Sequence, residues 1–129
     1  MKILVIDDDD FVRMLTRVSL SKVGGMLVTE AGSGAEGLLA AAQDPPDVIL
    51  LDVMMPGLDG PATFKALQAN QSTANVPVIF LTAKAMPGEQ SRLSELGAVA
   101  VFTKPFDPLT LADDVRRALA TPRKFDGPT

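Results

Sequence analysis

The sequence contains no cysteine and no histidine. Without cysteine, a disulfide framework and a thiolate metal site are both excluded. Without histidine, imidazole-base chemistry and the common zinc sites are excluded as well. Any catalysis must therefore rest on carboxylate, hydroxyl or lysine side chains.

Long apolar runs and excess positive charge are also missing. No segment approaches the roughly 18 apolar residues of a membrane span, and residues 1–6 lead into four aspartates instead of the apolar core of a signal peptide. We therefore expect a cytoplasmic location without membrane insertion. A net charge of −4 would repel phosphate backbones, so direct nucleic-acid binding is not expected.

The length and composition predict one domain that folds alone. A chain of 129 residues with 47% hydrophobic and 22% charged residues is too apolar for a disordered protein. At this length, folding buries about two-thirds of the unfolded surface. We predict a domain over residues 1–121, a flexible C-terminal tail over 122–129, and no linker to an output domain.

Short apolar runs with β-branched residues alternate with segments of helical spacing. The predicted strands cover residues 3–6, 26–29, 48–51, 76–81 and 99–102. The third and fourth runs are apolar on both faces, which is typical of central strands in a parallel sheet covered by helices on both sides. The alternation predicts a doubly wound α/β sheet with its ligand site at the carboxyl ends of the strands.

Local signals mark where the intervening helices begin and end. An apolar stripe predicts the first helix, and Gly24 and Gly25 end it. Ser33 and Glu36 form a capping box for the second helix. The apolar stripe of the first helix is Phe11, Met14, Leu15 and Val18. Gly60-Pro61 begins the third helix, Pro87 begins the fourth and Gly97 ends it. Asp107-Pro108 begins the fifth helix, and Pro122 ends it.

Carboxylates follow two of the predicted strands. Asp7 and Asp8 end the first strand and Asp52 ends the third, so all three converge if those strands are neighbours. Like charges this close raise one another's pKa unless a cation neutralises them. The cluster therefore predicts a hard divalent metal, and Mg²⁺ fits best because it pairs a few carboxylates with phosphate oxygens. Asp9 and Asp10 are assigned to capping the first helix.

A hydroxyl and an ammonium end the fourth and fifth strands, at Thr82 and Lys104. Together with a metal they would neutralise an acyl phosphate on Asp52. The simpler alternatives are a turn-forming hydroxyl and a surface lysine paired with any nearby acid. The Pro- and Gly-rich loop after Asp52 would let the backbone carbonyl of Met54 reach the metal, and we assign both methionine side chains of that loop to packing.

These segments resemble the receiver domain of bacterial response regulators, up to about Ala120. The resemblance implies a flavodoxin-like (βα)5 fold, with a five-stranded parallel sheet in the order 2-1-3-4-5 and helices on both faces. It suggests a stand-alone single-domain receiver. The matching segments are Ile6-Asp7-Asp8-Asp9, Leu51-Asp52-Val53-Met54-Met55-Pro56-Gly57-Leu58-Asp59-Gly60, Leu81-Thr82-Ala83, Gly97-Ala98 and Lys104-Pro105-Phe106.

The resemblance also implies roles for single residues. Asp52 would be the phospho-acceptor, Thr82 the switch hydroxyl, and Lys104 its charge partner, joined to Pro105 by a cis peptide. Side chains two positions after the acceptor and after the switch hydroxyl would tune the lifetime of the acyl phosphate; here these are Met54 and Lys84. Mg²⁺ would be held by Asp7, Asp8, Asp52 and the Met54 carbonyl.

One position departs from the family pattern. Receivers usually place Tyr or Phe three residues before the lysine, and this chain has Val101 there. Phe102 is adjacent, but alternation along a strand directs it to the opposite face of the sheet. The aromatic side chain that in this family couples by rotation to the switch hydroxyl is therefore missing at this position.

In function, the resemblance implies a signalling switch and not an enzyme that turns over small substrates. The phosphoryl group would come from a sensor histidine kinase or a histidine phosphotransfer protein. A downstream protein effector would then recognise a surface formed by the fourth helix, the fifth strand and the fifth helix.

Three other readings of the sequence are open. Residues 32–37 match the glycine pattern of dinucleotide-binding domains. An aspartate-nucleophile phosphatase would use the same acyl-phosphate chemistry, although Met54 stands where such enzymes carry a second aspartate. A degenerate receiver would act as a docking module without phosphorylation.

Overall fold

The computed structural model describes residues 1–84 and 86–120, so the predicted tail and the predicted helix end at Pro122 lie outside the described residues. Strands and helices alternate throughout this part of the chain. The strands are β1 (Lys2–Ile6), β2 (Leu27–Ala31), β3 (Val48–Asp52), β4 (Val78–Thr82) and β5 (Ala100–Thr103). The helices are α1 (Asp10–Val18), α2 (Gly34–Gln43), α3 (Gly60–Ala69), α4 (Pro87–Glu95) and α5 (Leu111–Ala120), and a π-helical turn over Ser19–Val23 extends α1.

The strands form one parallel sheet in the order β2-β1-β3-β4-β5, which confirms the predicted topology. The predicted strand ends were off by one or two residues at several places. In the pairing register, Ile6 lies opposite Leu51, and Asp52 lies opposite Leu81. The carboxyl ends of β1, β3 and β4 therefore meet at one edge of the sheet.

Each face of the sheet has its own hydrophobic core. On one face, Phe64 of α3 contacts Phe80 of β4 edge to face, with ring centroids 5.6 Å apart. On the other face, the core contains Leu20 of the π-helical turn and Val115 of α5. All five residues of β3 and of β4 are buried, as the two-faced apolar runs predicted.

The apolar stripe of α1 faces outward instead of into the core. Phe11 is 67% exposed and Met14 41% exposed, while Thr16 and Ser19 are buried. The two buried hydroxyls are satisfied, because Thr16 Oγ1 donates to the Val12 carbonyl and Ser19 Oγ donates to the Pro108 carbonyl. The stripe predicted the helix correctly, but apolar spacing alone did not identify its buried face.

The start of the fifth helix needs a correction. The structure begins α5 at Leu111, and residues 108–110 form a turn instead of the first helical turn. The Asp107 carboxylate accepts a hydrogen bond from the Leu109 amide, and its carbonyl accepts from the amides of Thr110 and Leu111. Asp107 thus stabilises a turn that precedes the helix.

The other helix signals agree with the structure. Ser33 Oγ accepts from the Glu36 amide at 3.1 Å and caps α2. The π-helical turn ends at Gly24, and Gly25 follows with φ 69°; Gly97 follows α4 with φ 119°. None of the helices in residues 1–84 and 86–120 is long and apolar enough to span a membrane.

Two glycines of the dinucleotide-like pattern lie buried in α2, at Gly34 and Gly37. A Cβ built on Gly37 would lie 2.8 Å from Ile6 Cγ1 of β1, and one on Gly34 would lie 2.8 Å from the Leu58 carbonyl oxygen. The Glu36 carboxylate also accepts a hydrogen bond from the Gly32 amide. The glycines therefore serve helix packing, and the dinucleotide reading is wrong.

We expect Gly37→Ala to lower the free energy of unfolding by about 1–3 kcal/mol, because the new methyl group overpacks against the fully buried Ile6. The matched control is Gly88→Ala in α4, where a Cβ would meet nothing within 4 Å. That control should be neutral or stabilising by about 0.5–1 kcal/mol through helix propensity. Urea unfolding followed by circular dichroism measures both, and a Gly37→Ala protein as stable as wild type would contradict the packing.

Candidate functional site

An apolar strand delivers a carboxylate to the centre of the sheet edge. Asp52 is the last residue of β3, and only 6% of its surface is exposed. The four residues before it are Val, Ile, Leu and Leu, which pack into the cores on both faces. Burying a carboxylate disfavours its charged form unless nearby groups compensate.

Two more carboxylates come from the neighbouring strand. Asp7 follows β1 and is 1% exposed, and Asp8 is exposed. Asp7, Asp8 and Asp52 each place an oxygen within 4.8 Å of the others. The sequence-predicted cluster is therefore assembled as expected. One oxygen of Asp7 also accepts a hydrogen bond from the Asp9 amide at 2.9 Å.

Lys104 enters this cluster from the end of β5. Its Nζ lies 3.1 Å from Asp52 Oδ1 and 3.2 Å from Asp7 Oδ2. Its amide donates to the Thr82 carbonyl at 2.8 Å, and the peptide between Lys104 and Pro105 is cis. Because the lysine side chain is only 20% exposed and both its partners are buried, the alternative of a simple surface ion pair does not apply.

The charges in the site do not balance. Burial, together with the charge of Asp7, raises the pKa of Asp52 to about 6, and Lys104 offsets this only in part. Burial opposes the charged form of Lys104, but the carboxylates of Asp7 and Asp52 outweigh it and raise the pKa of the ammonium. A surplus of negative charge on clustered oxygen ligands fits a hard divalent cation, so a metal can bind here.

Thr82 is the last residue of β4, which pairs with β3, and is 1% exposed. Its Oγ1 accepts a hydrogen bond from the Lys84 amide at 3.0 Å. The turn-forming alternative therefore describes the hydroxyl in this conformation. A role as a switch hydroxyl would use the O–H of Thr82 as a donor to a phosphoryl group.

Two sequence expectations concern side chains near the site. Val101 packs against the core that contains Phe80, and Phe102 packs against the opposite core, as strand alternation predicted. For the loop after β3, the packing prediction is half right, because Met55 is buried but Met54 is 62% exposed. The metal-binding role of the Met54 carbonyl stays a prediction.

Asp9 and Asp10 serve α1, as predicted. Asp9 accepts hydrogen bonds from the amides of Phe11 and Val12, and Asp10 pairs with Arg13. The sequence reading missed Arg13, whose Nη1 donates to the Asp7 carbonyl at 2.7 Å. The spacing of three residues between Asp10 and Arg13 would have predicted the ion pair, but nothing in the sequence pointed to the carbonyl contact.

The sequence model of the response regulator receiver domain family matches residues 3–116 of the chain. The chain belongs to the response regulator receiver family. Among curated relatives, this receiver is 37% identical over 123 residues to the probable transcriptional regulator ycf27 of Guillardia theta, covering 95% of the chain and 47% of that protein. It is 39% identical over 117 residues to the transcriptional regulatory protein CseB of Streptomyces coelicolor, covering 91% of the chain and 48% of CseB.

Solved receiver structures match over nearly their whole length. The chemotaxis protein CheY4 of Vibrio cholerae superimposes with a TM-score of 0.84 at 31% identity, covering 91% of this chain and 97% of CheY4. The receiver domain of the Francisella response regulator 1452 gives a TM-score of 0.82 at 32% identity, covering 91% and 94%. The chain spans about half the length of the curated relatives named above. The domain boundaries and the stand-alone character therefore stay predictions.

The raised pKa of Asp52 predicts how this receiver's stability responds to pH without metal. In the folded chain the pKa of Asp52 is about 6, whereas the ordinary value is 3.8. Ionisation of Asp52 therefore destabilises the fold as the pH rises from the lower value through the higher one. Asp52→Asn removes this penalty and should raise the free energy of unfolding at pH 8 by roughly 1–3 kcal/mol, with a much smaller gain at pH 4.

Urea unfolding in a chelating buffer at both pH values measures the difference. Saturating Mg²⁺ serves as the internal control, because it should stabilise the wild type more than the variant. An Asp52→Asn protein that is no more stable than wild type at pH 8 would contradict the charge imbalance.

Proposed function

We propose that this chain is a phospho-acceptor switch of a two-component or phosphorelay system, in which Asp52 accepts a phosphoryl group from a histidine kinase or a histidine phosphotransfer protein. One observation carries the proposal. The buried carboxylate of Asp52 lies 3.1 Å from the Lys104 ammonium and within 4.8 Å of two further carboxylates, in a chain of the receiver family.

The transfer is a displacement at phosphorus. A carboxylate oxygen of Asp52 forms the new O–P bond, the P–N bond of the partner's phosphohistidine breaks, and the nitrogen keeps the electron pair. The attacking group must be ionised, and the proximity of Lys104 favours the carboxylate form. The product is an acyl phosphate at the edge of the sheet.

The ligands for Mg²⁺ in this proposal are Asp7, Asp8, Asp52 and the carbonyl of Met54. When bound, the ion would supply positive charge to the oxygens of the transferred group. The side chains of the chain do the remaining work. Lys104, already paired with two carboxylates, would follow the new negative charge, and Thr82 would donate its hydroxyl hydrogen to a phosphoryl oxygen.

Movement of these two residues would reach the output surface directly, because Thr82 ends β4 and Lys104 follows β5. A groove of about 320 Å³ lies beside β5, and its lining includes Val101, Phe102 and Phe106. We propose that a downstream protein effector reads this surface of α4, β5 and α5, since the phosphoryl charge biases two arrangements of the strand ends. Because this chain has Val101 where receivers usually have Tyr or Phe, the signal would reach this surface without an aromatic side chain at that position.

A docking module without phosphorylation is the alternative that the labelling experiment excludes or establishes. The phosphatase reading has less support, because the side chain two positions after Asp52 is an exposed methionine with no proton to give a leaving group. The chain would therefore act as a switch and not as an enzyme for small substrates.

Purified protein incubated with Mg²⁺ and acetyl phosphate should gain one phosphoryl group by intact mass. Asp52→Asn should gain none, because an amide cannot form the acyl phosphate. The matched control is Asp44→Asn, which changes an exposed carboxylate paired with Lys2. Equal labelling of the Asp52 and Asp44 variants would overturn Asp52 as the acceptor, and no adduct on the wild type with any donor would establish the docking module.

Lys104→Ala should separate labelling from signalling. We expect the variant to accept the phosphoryl group, since Asp52 is intact, but to lose most of the phosphorylation-dependent change in affinity for its effector. Affinity is compared with and without acetyl phosphate once an effector is in hand. An unchanged ratio in the variant would remove Lys104 from the proposed switch.

A further inference from the structure

Arg13 is tied to three groups, although it belongs to a helix and not to the sheet edge. Its guanidinium donates to the Asp7 carbonyl at 2.7 Å, pairs with Asp10 at 2.7 Å and lies 3.3 Å from Glu30 of β2. The side chain is 19% exposed. Such a three-point attachment is more than α1 needs for surface charge, because an exposed pair contributes little.

The carbonyl that Arg13 holds belongs to the peptide between Asp7 and Asp8. On the other side, the Asp7 amide donates to the Ala31 carbonyl at 3.1 Å, so the backbone of Asp7 is fixed at both its polar groups. The carboxylate of Asp7 is held by the Asp9 amide and by Lys104. The backbone and the carboxylate of Asp7 are thus each held by two hydrogen-bond partners.

Asp8 differs from Asp7. It is exposed, and its side chain accepts no hydrogen bond from any residue in the described ranges. Its carboxylate nevertheless comes within 4.8 Å of those of Asp7 and Asp52. Because no side-chain contact directs Asp8 there, its approach depends on the orientation of the peptide that Arg13 holds.

We propose that Arg13 is a positioning residue for the cation site. By fixing the Asp7–Asp8 peptide from the α1 side, it keeps the Asp8 carboxylate directed toward Asp52. Groups that orient metal ligands in this way typically contribute about 10–100-fold to metal affinity. This inference rests on the proposed function, because it takes the acidic cluster to be a divalent cation site.

The charge of Arg13 makes the proposal sharply testable. A guanidinium this close to a cation site repels the cation, so removing its charge alone would strengthen binding. Loss of positioning acts in the opposite direction. The sign of the change in Mg²⁺ affinity therefore distinguishes a positioning residue from a mere surface charge.

Isothermal titration of Mg²⁺ into the full chain is the first measurement, with Arg13→Met beside the wild type. We expect the Kd for Mg²⁺ to rise about tenfold in Arg13→Met. The matched control is Arg17→Met, which removes the same charge one turn along α1 and breaks the 2.9 Å pair with Glu30 without touching Asp7. That control should bind as tightly as wild type or more tightly. Unchanged or tighter binding by Arg13→Met would overturn the inference.

Two further measurements separate positioning from a loss of fold. Labelling by acetyl phosphate should need more Mg²⁺ in Arg13→Met but should reach the wild-type rate at saturating Mg²⁺. Arg13→Lys keeps the charge but loses the planar fork through which arginine bonds several partners, so its Kd should also rise, by less than that of Arg13→Met. A lysine variant that binds Mg²⁺ as tightly as wild type would overturn the inference even if the methionine variant misfolds.

The wild-type titration distinguishes failure of the proposed function from failure of the role proposed for Arg13. A wild type that binds no Mg²⁺ would overturn the proposed function and this inference with it. A wild type that binds Mg²⁺ and accepts the phosphoryl group, beside an Arg13→Met protein with the same Kd, would overturn only the role of Arg13.

Discussion

The rest of the structure must offset one constraint, which is the mutual repulsion among carboxylates at the edge where β1 and β3 end. Asp7, Asp8 and Asp52 are brought together against their own charge, with one ammonium among them. The hydrophobic cores on the two faces of the sheet supply the opposing free energy, since every residue of β3 is buried. The candidate site is therefore a region of unfavourable electrostatic energy, which a cation or a proton would reduce.

Backbone hydrogen bonds also connect the strand ends around this cluster. Val53 donates to the Leu81 carbonyl, and Lys104 donates to the Thr82 carbonyl, so the strand ends are linked across the site. Such links leave the main chain little freedom, and side-chain rotation becomes the available response to a change of charge. The arrangement is suited to a switch, because a small set of polar side chains can change partners while both cores remain packed.

The sequence predicted the sheet and the residues that converge, because apolar runs mark buried strands and strand ends must share an edge. The order of the strands came from the resemblance to the receiver family. It predicted less well where position depends on tertiary contact. The outward stripe of α1 reflects a polar group satisfied across the fold, since the Ser19 hydroxyl donates to the Pro108 carbonyl. The late start of α5 at Leu111 reflects a local turn that Asp107 stabilises. Arg13 was missed because a backbone carbonyl leaves no trace in the sequence. The exposure of Met54 likewise depends on the path of its loop.

The position of β3 has a consequence for how firmly Asp52 is held. A strand buried along its whole length and paired on both sides belongs to the part of a protein that opens only when the molecule unfolds globally. Asp52 is the last residue of that strand, so its backbone is held as firmly as the core itself. The strand is thus a fixed mount for the carboxylate, and any change in charge there must be met by the groups around it.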